Sequence, residues 1–127
     1  MTIEMTPIGF VTSSDFTDKG GFDGNISENS AVLHILPQFK EGLCGLKAGQ
    51  SIEVLFHFSL SNGYSLTVFS QKHKIETGVF NTHSPNRPNG IGRTVCRIIS
   101  IDGCDIAVKG SDMFEGTPIL DIKPFDK

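Results

Sequence analysis

Apolar and polar residues alternate over short runs along most of this chain, and Gly, Pro, Asn, Asp and Ser break the runs at short intervals. A period of two is the pattern of a strand with one buried face, whereas a helix repeats every three to four residues. The alternation predicts strands over residues 2–13 and 29–36, the second carrying Val32, Leu33, Ile35 and Leu36 between Asn29-Ser30 and Pro37. A turn or short helical piece follows through Leu46. Ser51 to Leu60 and Tyr64 to Ser70 are rich in Val, Ile, Leu and Phe around Ser61-Asn62-Gly63, which reads as a hairpin. Thr94 to Ile101 and Cys104 to Val108 flank Asp102-Gly103, the strongest hairpin signal in the chain, and Thr117 to Ile122 forms a last short strand. No segment longer than about 12 residues has helical periodicity. The expectation is a mostly antiparallel, all-β structure that closes on itself to hide its edges, with short helical or irregular insertions.

Composition changes this picture little. With 127 residues, 38% hydrophobic and 20% charged, the chain suits one domain over residues 1–127 that buries a core without metal or disulfide support. Ser14 to Ser30 is the stretch expected to be least ordered, with Phe16 and Phe22 either anchoring it to the core or serving as a lid or subunit contact. Cys44, Cys96 and Cys104 have no C-x-x-C spacing and read as reduced thiols of a cytoplasmic protein. The start of the chain lacks a basic, apolar leader, and no window approaches the roughly 18 apolar residues that span a bilayer.

Charge is more informative in its distribution than in its total. The net charge is −3, yet Lys72, Lys74, Arg87, Arg93 and Arg97 face only one acid, Glu76, within residues 72–97. That segment carries +4 and the remainder −7, so a locally positive face can steer a phosphate-bearing substrate, unless it is simply a solvated charge run.

The candidate chemistry lies in that segment. Gly78 to Gly92 holds two prolines, three glycines and several Asn, Thr and Ser around Arg87. Prolines fix φ and short polar side chains bond the backbone, so a stiff polar loop is predicted. Arg87, held between Pro85 and Pro88, is presented for bidentate contact with a carboxylate or phosphate, or else braces its own loop through carbonyl oxygens. His57, among phenylalanines in Leu55-Phe56-His57-Phe58, is either a hydrogen-bonded structural residue or a ligand contact. Asp112 and Glu115 lie three apart in an irregular segment and can direct carboxylates to one ligand. The P-loop, dinucleotide-binding and zinc motifs are absent from the sequence, and no metal ligand set is predicted.

Four segments together carry a family resemblance. Gly78 to Gly92 resembles the GVFATRSPxRPNPIG signature of the TrmO/TsaA-like family, and Ser111 to Pro124 looks like that family's closing D-x-x-D/E-G-T-P-x-x-D-I-K-P segment. Pro7 to Val11 and Ala31 to Leu46 also fit, in the family's order. The resemblance implies a small β-barrel, a homodimer, S-adenosylmethionine as methyl donor, and N6-methylation of threonylcarbamoyladenosine at position 37 of the tRNA anticodon loop. It implies donor contacts at His57, Phe58, His83, Arg93, Asp112, Glu115, Gly116 and Thr117, and substrate contacts at Arg87 and Asn89, to which the basic segment adds Lys72 and Lys74. His83, Arg87 and Asp112 are the catalytic candidates, with His83, Asp112 or water as acceptor of the N6 proton. Phe80, Phe114 and Tyr64 are available for stacking a base. His83 and Gly90 depart from the family's arginine and proline, and Glu115 replaces the frequent aspartate. Two other readings fit the same residues: methylation of a small molecule, and a module that binds S-adenosylmethionine without catalysis.

Overall fold

The computed structural model describes residues 1–15, 28–59 and 63–126. Its strands are β1 (Gly9–Ser14), β2 (Ser30–Ile35), β3 (Ser51–His57), β4 (Thr67–Ser70), β5 (Ile75–Gly78), β6 (Ile91–Asp102), β7 (Asp105–Lys109) and β8 (Pro118–Pro124). Six of them close into an antiparallel ring in the order β1-β2-β7-β6-β3-β8, and β4 and β5 form a separate two-stranded ribbon. Among the described residues no helix is long and apolar enough to cross a membrane.

The period-two pattern becomes the inside and outside of the ring. On β3, Ile52, Val54 and Phe56 point inward and are buried, while Ser51, Glu53, Leu55 and His57 lie on the outer side. Val11, Leu33, Ile35, Ile98, Ile106, Val108 and Ile119 fill the interior from the other strands. A bulge between Ile98 and Ser100 bends the twelve-residue β6, so that its first half pairs with β3 and its second half with β7. Further shifts at Val11/Ser13 and Leu55/Phe56 make the ring less regular than an ideal barrel. A 3₁₀ segment over Pro37–Leu43 starts on its proline and packs Phe39 and Leu43 on the core. Met113, in an irregular segment, is 1% exposed and closes one end of the interior.

Most predicted strands are present, with altered bounds. The β6–β7 hairpin turns through Gly103-Cys104, and Gly103 takes φ +63°, the conformation for which the Asp102-Gly103 pair was informative. Residues 2–8 are not a strand, although Ile8 donates to the Ile119 carbonyl and accepts from Leu36. The hairpin expected between residues 51–60 and 64–70 does not form. β3 has three core side chains and is held in the ring by β6 and β8, whereas the short β4 pairs with β5. Ile75-Glu76-Thr77-Gly78 has one apolar residue in four, too little to predict β5. Phe16, Phe22 and the Ser61-Asn62 tip lie outside the described residues.

Candidate functional site

The loop between β5 and β6 is built from short polar side chains that support one another. Val79 is buried and anchors it, donating to the Leu66 carbonyl at 2.9 Å. The Thr82 hydroxyl donates to the Val79 carbonyl at 2.7 Å and accepts from the Ser84 N–H at 3.2 Å. The Ser84 hydroxyl accepts in turn from the Asn86 N–H at 3.2 Å. Each side-chain oxygen takes an N–H two residues ahead, replacing the ladder a strand would have supplied. Arg87 then ties the loop across itself, Nη1 donating to the carbonyls of Thr82 at 2.9 Å and Ser84 at 3.0 Å. The loop-bracing alternative is therefore realised for Nη1. Nε and Nη2 have no hydrogen-bond partner among the described residues.

The loop rejoins the ring beside His57. The Phe58 N–H donates to the Gly90 carbonyl at 2.7 Å, and a Cβ placed on Gly90 would stand 3.3 Å from His57 Nε2. Gly90 has φ +60°, so glycine at this position serves both the turn and the close approach of the imidazole. His57 and Asn89 are the polar groups of a cleft of about 390 Å³, whose walls include Met5, Ile91, Pro118 and Leu120. The Phe58 ring is committed elsewhere, edge-on to Phe56 at 5.0 Å with both rings over Gly92.

Asp112, Glu115, Gly116 and Thr117 occupy the segment that crosses the end of the ring from β7 to β8. Its backbone is pinned on both sides: the Gly116 N–H donates to the Val11 carbonyl at 2.7 Å and the Thr117 hydroxyl to the Phe114 carbonyl at 2.6 Å. Gly116 and Thr117 thus hold the fold, while Asp112 and Glu115 are exposed. Asp112 acts on the buried Cys96 of β6, whose thiol is pushed up to about 12 by burial first and by that carboxylate second. Gly110 packs on the same place, its Cβ position 3.5 Å from the Val95 carbonyl.

These contacts set the arginine loop and the Asp112 segment along one edge. From Ile91 to Cys96, β6 pairs with β3 on one side and has no strand on the other among the described residues. The arginine loop meets that edge at Ile91 and the Asp112 segment at Val95–Cys96, about 13 Å apart by strand rise. Alternate backbone N–H and C=O groups along it have no strand to pair with. The half-exposed Arg93 side chain commits its Nε to Glu53 Oε2 at 2.7 Å, and its guanidinium lies 5.6 Å from the Phe125 ring centre. Only its backbone belongs to the edge.

Lys72 and His83 meet in a different cleft, of about 500 Å³, between the β4–β5 ribbon and residues 81–84. His73 lines it as well. His73 stands in sequence between Lys72 and Lys74, and nothing in the local pattern marks it for this cleft. Lys74 closes the ribbon turn in the left-handed region at φ 57° and does not line the cleft. Neither of the two clefts includes Arg93, Asp112 or Glu115.

Comparison with known proteins bears on this geometry. The model of the tRNA-methyltransferase O N-terminal domain matches residues 11–127. An Archaeoglobus fulgidus protein named "Probable S-adenosyl-L-methionine-binding protein" is 34% identical over 127 residues, covering 98% of this chain and 34% of that one. The human tRNA (adenine(37)-N6)-methyltransferase is 34% identical over 129 residues, covering 94% of this chain and 29% of its own length. The solved structure of TrmO from Pseudomonas aeruginosa superposes with a TM-score of 0.79 at 31% identity, covering 99% of this chain and 57% of that one. The chain therefore spans about a third of these two relatives and little more than half of the solved TrmO chain.

Proposed function

This chain belongs to the family of the tRNA-methyltransferase O N-terminal domain, and from that premise we propose that it methylates N6 of a modified adenosine in tRNA with S-adenosylmethionine as donor. The observation that carries the reading is the match to the human tRNA (adenine(37)-N6)-methyltransferase across 94% of the chain, a span that takes in both loops at the free β6 edge. Threonylcarbamoyladenosine at position 37 of the anticodon loop is the proposed acceptor, and residues 1–127 are taken as one domain acting in the cytoplasm as a homodimer.

The residues present suit such a donor. Its ammonium and ribose hydroxyls need acceptors, which Asp112, Glu115 and the carbonyls of the unpaired edge supply, and the N–H groups of that edge can receive its carboxylate or adenine nitrogens. His57 lies across β6 from that edge, on β3 opposite Ile91, and the exposed His83 lines the cleft under the ribbon. Bound there, S-adenosylmethionine supplies an electrophilic methyl group. The chain's own task is to orient the acceptor nitrogen in line with that group and to exclude water, for which a loop stiffened by Arg87 is suited. His83 and Asp112 are the side chains proposed to take the N6 proton.

Calorimetric titration with S-adenosylmethionine, followed by transfer of labelled methyl to threonylcarbamoyl-modified tRNA, tests the proposal. Donor binding in the micromolar range, about −8 kcal/mol, and label in the tRNA are expected. Binding without label in any tRNA would leave only a donor-binding module, and no binding would remove the cofactor. For the dimer, a sedimentation mass of twice 13.8 kDa is expected.

A further inference from the structure

The cleft between the β4–β5 ribbon and residues 81–84 is lined by basic and hydroxyl side chains together with the Gln71 and Asn81 amides. The turn Gln71–Lys74 is fixed by the Lys74 N–H donating to the Ser70 carbonyl at 2.7 Å and the His73 N–H to the Ser70 hydroxyl at 3.2 Å. Lys72 and His73 belong to this fixed turn and line the cleft together with His83. The Ser70 and Ser84 hydroxyls each accept a backbone N–H, which leaves their own protons to donate. Thus an ammonium, two imidazoles and two hydroxyls line one space, and no carboxylate lines it among the described residues. Glu76, the acid nearest in sequence, pairs with Phe69 on the ribbon and is not part of the cleft. A space of about 500 Å³ whose lining holds Lys72, two imidazoles and two available hydroxyl protons, beside the Gln71 and Asn81 amides, favours an acceptor-rich anion, and phosphate is the common one of matching size.

A second feature narrows the anion to a nucleotide. Phe69 lines the cleft yet is 55% exposed, and Phe80, just before the loop wall, is 77% exposed. Aromatic faces beside a cationic groove are how proteins hold unpaired bases along a phosphate backbone. We propose that the cleft between the β4–β5 ribbon and residues 81–84 is a phosphate site for single-stranded RNA, Lys72, His73 and His83 holding the phosphate and Phe69 stacking the adjoining base. This deepens the tRNA reading above and rests on it. It assigns the docking of the substrate strand to a ribbon outside the ring, apart from the β6 edge.

Fluorescence anisotropy with a labelled, unmodified anticodon stem-loop RNA tests the site on the full chain at several salt concentrations. Lys72→Gln is expected to weaken binding and to lower the slope of log affinity against log salt by about one. His73→Gln is expected to weaken binding several-fold, and Phe69→Ala about tenfold. Lys47→Gln, outside the cleft, is expected to change nothing. All three cleft side chains are exposed, and their thermal midpoints should match the parent's. RNA binding that none of the three substitutions alters would overturn the site while leaving the methyltransferase reading in place. Failure of this RNA to bind a preparation that still binds S-adenosylmethionine would overturn the site, while methyl transfer to threonylcarbamoyl-modified tRNA decides the substrate reading separately. Titration with AMP separates the phosphate sources: displacement of the RNA by AMP at a lower concentration than the RNA itself requires would assign the cleft to a free nucleotide and overturn its assignment to RNA.

Discussion

Arg87 illustrates how far a single residue can be read before folding. Its place between two prolines, in a segment without acids, marks it as an organising cation. The atoms it bonds were not legible, because the carbonyls of Thr82 and Ser84 converge only after Val79 has been buried and the hydroxyl-capped turns have formed. Arg87→Ala leaves those two carbonyls without their cationic donor. The expected loss is about 2 kcal/mol of stability, measured by urea unfolding, together with weaker donor binding as the loop end of the β6 edge loosens. An unchanged midpoint would mean that the loop holds its shape through its hydroxyls alone. His57 shows the opposite balance: sequence placed it at a strand end among phenylalanines, and only the structure put its ring beside Gly90 rather than into the core.

At the scale of elements, ring closure makes demands that local pattern does not announce. β1 approaches β2 so closely at Gly9 that a Cβ would lie 2.2 Å from the His34 carbonyl oxygen. The obstacle is backbone in a paired strand, which cannot rotate aside. Gly9→Ala is expected to cost about 3 kcal/mol or to part the β1–β2 pairing at that point, seen as a lowered thermal midpoint. Gly92→Ala is expected to cost less: the ring atoms of Phe56 and Phe58, at 2.5 Å and 2.7 Å, block it, and side chains can repack. Strand existence was legible throughout the ring because turn chemistry and alternation are local. The partner of β3 was not, since its two neighbours lie some forty to seventy residues away in register pairs such as Glu53 with Val95 and with Lys123.

For the whole molecule, the buried thiol of Cys96 links the site segment to the stability of the ring. Burial, and then the Asp112 charge, raise it from 9.0 to about 12, so the folded chain keeps a proton that the unfolded chain releases. Stability from this group is intact below about pH 9 and is lost as pH rises toward about 12, at up to roughly 1.4 kcal/mol per unit. Urea midpoints over that alkaline window should fall more steeply for the parent than for Cys96→Ala, even though the variant is weaker at neutral pH; parallel slopes would remove the thiol as the cause. The chain's own residues determined that the segments of the ring are strands, where the β6–β7 hairpin turns and that one loop is built of short polar side chains, because propensity, turn chemistry and alternation act between near neighbours in sequence. Tertiary structure alone decided that β3 closes the ring, that β4 and β5 stand outside it, that no strand among the described residues covers the β6 edge from Ile91 to Cys96, and that His73 and His83 line one cleft. Each of those depends on contacts between distant segments, whose free energy appears only when the ring is closed.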